Sequence, residues 1–160
     1  MYTPAALLDL HTRTHRAFAA LIAHAGGFAA ADLEREHTGI GTSTLRLQIA
    51  HMIGAERYWV GVLAGVVDAE EHEERLATLA DLEAARLAVA ATTQRWIGAT
   101  SESALDTPRA MIVFGGRTHV LVPAHVVLRV TTHVFHHQGQ CAAMCRVLGR
   151  PISGLDFPLA

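Results

Sequence analysis

The sequence predicts an all-α protein, a four-helix bundle with a small β-hairpin before the last helix. Three observations indicate this: long stretches with apolar residues every three or four positions, glycine or proline at the ends of these stretches, and one short β-rich segment. The chain has 160 residues, 51% of them apolar, which is enough for one sizeable core. We therefore expect one domain over residues 1–160, with any site built from facing helices.

The first predicted helix begins after Thr3, which can cap it, with Pro4 at its first position. It ends at the glycine pair 26–27, which stops the apolar pattern. Residues 28–42 are glycine-rich and polar, with a short turn of helix expected over 32–36. The apolar residues that define this first helix are Leu8, Phe18 and Ile22.

Two more long helices follow in the middle of the chain. Thr42 or Ser43 can cap the second, which runs to Gly65, and the third begins at Thr78 and continues to Gly98. The inward face of the second helix is expected to carry Leu47, His51, Ala55, Tyr58 and Val62. The third carries Leu79, Leu82, Leu87, Val89 and Trp96.

The pattern changes before the last helix. Residues 111–114 and 118–121 are two short β-rich runs joined by two glycines at 115–116, which predicts a hairpin that needs packing support to persist. Pro123 then suits the start of a fourth helix, and Gly149 suits its end.

The most informative residues are His133 and His137, four positions apart in the segment 132–140 (THVFHHQGQ). A helix turns about 100° per residue, so both imidazoles lie on one face, one turn apart. That face is apolar, so the rings point inward, where each ring nitrogen needs a partner and a divalent metal supplies one. The other residues of this face are Val126, Val130, Cys141, Met144 and Leu148.

A catalytic metal needs a third ligand from another helix, and His51 is the best candidate because it also lies on an apolar face. Three imidazoles would hold Zn or Ni, or alternatively Fe or Mn, with positions left open. The alternative is three core histidines that bond to one another or to the backbone. His11 and His15 form a second pair four residues apart, which we expect to support the site or to pack. The remaining histidines, expected in loops or at the surface, are His24, His37, His72, His119 and His125.

Residues 47–59 (LQIAHMIGAERYW) and 133–140 resemble the DinB/YfiT-like family of metalloenzymes. The resemblance extends over essentially the whole chain and implies a four-helix bundle, usually homodimeric, with a divalent metal on His51, His133 and His137. It also implies a thiol-dependent S-transferase or isomerase that uses bacillithiol, mycothiol or glutathione; other members resemble metal-dependent hydrolases. Gln138 stands where the family commonly has a basic residue, which puts any role of that charge in doubt.

Several residues beside the proposed ligands are candidates for contact with a substrate. Tyr58 is nearly in line with His51, so its hydroxyl can position a substrate, or the ring can simply pack. Arg129 can hold an anionic group or form a salt bridge, Gln140 can donate to a ligand, and His136 lies at the edge of the metal face. Glu56 is 140° from His51, so we expect a solvated charge and no inward carboxylate base.

The leading hypothesis is a metal-dependent enzyme, most simply a thiol-dependent S-transferase acting on a small molecule. The alternatives are a metal-dependent hydrolase and a non-enzymatic stress-response protein that binds a metal or a small ligand. A net charge of −2 without basic runs argues against nucleic acid. We also expect no membrane segment, no signal peptide, a cytoplasmic location, and free thiols at Cys141 and Cys145.

Overall fold

The computed structural model describes residues 1–67 and 75–159, which form a helical bundle with a hairpin before the last helix, as predicted. Most of the bundle consists of long helices, and the two strands of the hairpin are antiparallel. The elements in chain order are α1 (Pro4–Ala25), α2 (Ala30–Leu33), α3 (Leu45–Ala64), α4 (Leu79–Ala99), α5 (Glu102–Asp106), β1 (Arg109–Val113), β2 (Arg117–Leu121) and α6 (Pro123–Val147).

The predicted helix ends are largely confirmed, and each has a local cause. The Thr3 side chain accepts a hydrogen bond from the backbone of the first turn of α1. Thr78 and Asp81 form a reciprocal capping box at the start of α4. Helix α3 ends at Gly65, whose φ of 77° lies in the left-handed region that glycine adopts without strain.

Three local expectations were wrong. The cap of α3 is Thr44 rather than Thr42 or Ser43, because the Thr44 side chain accepts from the Leu47 N–H. The short helix α2 lies two to three residues before the predicted 32–36. Leu87 is 54% exposed and takes no part in the core. Helix α5, which is capped at its start by Ser101, was not predicted.

The packing of the long helices positions the site. Helix α3 packs against α6 and α4, while α1 packs against α4 and α6, so α3 and α6 are direct neighbours. One apolar cluster fills the half of the bundle around Phe18 and Met144, and a second lies at the hairpin end. Met111 and Val113 of β1 are buried in that second cluster, which gives the hairpin the packing support it needs.

The two cysteines, and the histidines that were assigned to loops or to the surface, differ in their burial. Cys141 and Cys145 are buried free thiols, and burial raises the pKa of both, so they stay protonated. His37, expected in a loop or at the surface, lies in the loop between α2 and α3 but is buried, whereas His119 and His125 are exposed. His24 is half-buried, and His72 lies outside the described residues. Within the described ranges, no helix combines the length and the apolarity that a membrane span requires.

Candidate metal centre

Three imidazoles from two neighbouring helices meet at one point between α3 and α6. His51 comes from α3, and His133 and His137 come from successive turns of α6. One nitrogen from each ring lies within 4.8 Å of the corresponding nitrogens of the other two. The ring centroids are 4.3 Å apart for the α6 pair and 4.7 Å apart for His51 and His137. The structure thus brings together the three residues that the sequence suggested as ligands.

The two α6 rings of this triad are held in the neutral form. Burial, together with the charge of the neighbouring imidazoles, lowers the pKa of His133 and of His137 from 6.5 to about 4 in each case. Arg129 adds to this effect on His133. At neutral pH both rings therefore present a lone pair, which is the form of imidazole that binds a metal.

The Nε2 atom of His133 is buried and has no hydrogen-bond partner within the described part of the chain. An imidazole nitrogen in this state is costly unless something meets it, because it has left water without gaining a replacement. A divalent cation at the centre of the triad meets this need. The donor set, three neutral nitrogens with no carboxylate among them, also suits Zn or a similar metal.

Gln48 fixes the orientation and the tautomer of His137. Its Nε2 donates to the Thr42 carbonyl and to Gln140 Oε1, so its Oε1 faces His137 as an acceptor at 2.7 Å. The Nδ1 of His137 must then carry the proton, which leaves Nε2 unprotonated for a metal. Sequence reasoning missed Gln48, although a polar residue on an apolar helix face, three residues before His51, was a usable signal.

Gln140 and His136, which we expected near a substrate, are joined to this network. Gln140 Nε2 donates to His136 Nε2 at 3.1 Å, and its oxygen accepts from Gln48. His136 is exposed, and its ring centroid lies 4.9 Å from that of His137. The two residues form a polar rim on the solvent side of the triad.

The other two rim candidates lie toward the hairpin. The Tyr58 hydroxyl accepts a hydrogen bond from the Phe114 N–H at 2.7 Å, so in this structure it holds the hairpin against α3. Arg129 is exposed, with its guanidinium 5.1 Å from the centroid of the Trp59 ring. Its charge adds to the lowering of the His133 pKa, for which burial is the largest cause.

Glu56 is the main correction to the sequence-based picture, because it is fully buried rather than solvated. It accepts hydrogen bonds from His11 Nε2 at 2.7 Å, His15 Nε2 at 2.8 Å and the Thr93 hydroxyl at 2.7 Å. Burial alone would raise the pKa of Glu56, but these two histidines hold it at about 2. A signal was present, since Ile49, Met52, Ile53 and Val60 share its helix face.

The atoms of His11, His15 and Glu56 are also close enough for a metal, but their hydrogen bonds do not suit one. Arg86 Nη1 lies 3.1 Å from His15 Nδ1, and a guanidinium can only donate. The Nδ1 of His15 is therefore the acceptor, and its Nε2 carries the proton that is donated to Glu56. A protonated nitrogen cannot bind a metal. The triad on α3 and α6 is thus the better metal centre.

Comparison with known proteins agrees with the helical fold. The DinB family model matches residues 12–160, which is most of the chain. A search of the curated proteins gave no match. The family model spans α3, the hairpin and α6, and so includes every histidine of the triad. The chain is a member of the DinB family.

Proposed function

We propose that this chain is a metal-dependent enzyme in which His51, His133 and His137 hold one divalent cation. Zn or Ni fits the neutral nitrogen donors best, and Fe or Mn is the alternative. The observation that carries the proposal is the convergence of three imidazoles, two of them kept neutral and one with an unpartnered buried nitrogen. Three protein ligands leave room for a reactant, as catalytic sites require.

The reaction we propose is transfer of a low-molecular-weight thiol, such as bacillithiol, mycothiol or glutathione, to an electrophile. A divalent cation in this position supplies Lewis-acid chemistry, which lowers the pKa of a thiol or water that joins it. The protein adds little base catalysis, because Glu56 already accepts three hydrogen bonds and faces α1 and α4. A thiol, with a usual pKa of about 8.5 against about 15.7 for water, needs the least help.

The chain's own residues hold the reactants and the ligands in place. Gln48 keeps the His137 ring in the orientation and tautomer that binding of the metal requires. His136 and Gln140, on the solvent side, offer polar groups to an incoming thiol. Tyr58 fixes the hairpin beside the site, so that the wall of the entrance keeps its shape.

The test is adduct formation by the metal-loaded protein. Each candidate thiol is incubated with a panel of electrophiles, and the thioether product is quantified by mass spectrometry. We expect product with the wild type and its loss in His51→Ala, His133→Ala and His137→Ala. His119→Ala, which removes an exposed strand histidine, is the matched control and should keep full activity.

The same samples separate the alternatives. Hydrolysis of ester or amide substrates without any thiol adduct would replace the transferase with a hydrolase. Full metal occupancy with neither reaction would make the protein a non-enzymatic metal-binding bundle of the stress-response kind. The homodimer implied by the family resemblance is also a proposal, and sedimentation velocity of the metal-loaded protein tests it.

A further inference from the structure

A groove of about 480 Å³ lies beside the histidine triad, between α3, the end of β2 and the first turns of α6. Its walls are mainly apolar, with Val122 and Val126 on one side and Trp59 on the other. Two polar side chains line it, His125 and Arg129, both exposed. A concave apolar surface with a few convergent polar groups is the usual form of a small-molecule site.

The charge in this groove is positive and has no partner within it. The lining includes no carboxylate, and Arg129 forms no ion pair with any residue in the described ranges. The guanidinium instead lies over the Trp59 ring at 5.1 Å. Stacking of this kind restricts the plane of the guanidinium, so less freedom is lost when its N–H groups bind a planar anion.

The groove and the triad are close enough to serve one ligand. Arg129 precedes His133 by one helical turn on α6, an axial rise of about 6 Å. Trp59 follows His51 on the neighbouring α3 by about two turns, so the groove lies on the hairpin side of the triad. A carboxylate bound at Arg129 therefore lies about one helical turn from the triad, with the rest of the groove beyond it.

We propose that this groove binds the carboxylate-bearing end of an apolar organic acid, and that Arg129 is the residue that anchors the carboxylate. The planar guanidinium matches a carboxylate with two parallel hydrogen bonds, and a single permanent cation suits a monoanion better than a phosphate. Val122 and Val126 pack against the apolar body. That this acid is the substrate rests on the proposed function, whereas its binding does not.

Binding is tested with phenylacetate and hexanoate against their neutral amides. The Trp96→Phe background leaves Trp59 as the remaining tryptophan of the two, so its fluorescence reports the groove. Isothermal titration of the wild-type chain is the second readout, in case this background folds poorly. Each titration is run on the metal-loaded protein and again with a chelator, which separates binding at Arg129 from binding at the metal.

We expect the acids to bind about three- to fivefold more tightly than the amides, which is the upper range for an exposed ion pair. Arg129→Gln should abolish this preference with and without metal, while Arg95→Gln, an exposed arginine on α4, should keep it. Equal binding of acid and amide, or an equal loss in both variants, would overturn the proposal. Acid binding by a protein without enzymatic activity would instead remove only the proposed function.

Discussion

Replacement of Glu56 with Gln should cost the protein about 3 kcal/mol of unfolding free energy. Two independent considerations give this magnitude. The carboxylate accepts from His11, His15 and Thr93, whereas an amide turns an N–H₂ toward one of the two histidine N–H groups. His15 cannot avoid this by changing its tautomer, because Arg86 occupies its other nitrogen. His11 can change its tautomer, but its Nδ1 then carries a buried proton that has no acceptor in the described part of the chain. A hydrogen bond to a charged acceptor contributes about 1.5–3 kcal/mol, and a buried donor left without a partner costs about 1–3 kcal/mol, so a total loss of about 3 kcal/mol is expected.

The pKa of Glu56 gives a similar magnitude. Its fall from 4.5 to about 2, at about 1.4 kcal/mol per unit, corresponds to about 3 kcal/mol. Because the folded pKa is the lower one, this stability is present above pH 4.5 and is lost as the pH falls toward 2. The difference between wild type and Glu56→Gln should therefore shrink below pH 4.5.

Urea unfolding followed by far-UV circular dichroism, from pH 7 to pH 3, measures both effects. In a thermal scan, the same loss of about 3 kcal/mol corresponds to a fall of about 6–12 °C in Tm for a domain of this size. Glu36→Gln, an exposed loop substitution, is the control. A Glu56→Gln protein as stable as this control at pH 7 would refute the buried network.

Four further outcomes are expected at and around the triad. His137→Ala should lose most of its bound metal by elemental analysis while its circular dichroism stays helical, because the apolar core does not depend on the ion; an unfolded variant would make the metal structural. Gln48→Leu should weaken metal binding about 10- to 100-fold in a chelator competition, and an unchanged affinity would remove Gln48 from the site. The folded pKa of His133 and of His137 is below the unfolded value of 6.5, so the metal-free protein should lose stability as the pH falls from 6.5 to about 4; a flat denaturation profile would contradict this. In ¹H–¹⁵N spectra at pH 7, His15 should carry its proton on Nε2, and an Nδ1–H signal would contradict the argument against a second metal.

The triad could be predicted because its signal is local. His133 and His137 are one turn apart, and their neighbours in the sequence show which face of α6 is buried. His51 required only the further assumption that α3 packs beside α6, which the structure confirms. The helix ends were predictable for the same reason, since a cap or a left-handed glycine acts within one turn.

The buried network could not be predicted in the same way, because its partners come from three helices. The position of Glu56 on its own helix, 140° from His51, does not show that His11, His15 and Thr93 face it. Pairing of this kind depends on the relative rotation and height of helices, which a single sequence does not give. The contact of Arg129 with Trp59 could not be predicted for the same reason, because the two residues lie on different helices.

Helix α3 carries both Glu56, bonded to α1 and α4, and His51, grouped with α6. Apolar side chains of similar volume can replace one another in a core. In a core made of them alone, a helix could therefore shift by one turn along its axis at a modest cost in free energy. The hydrogen bonds of Glu56 on one side of α3 and the histidine triad on the other are directional, so they set the axial register of this helix. Volume-conserving changes in the core, such as Ile49→Leu or Met52→Leu, can therefore accumulate over evolution without displacing the ligands.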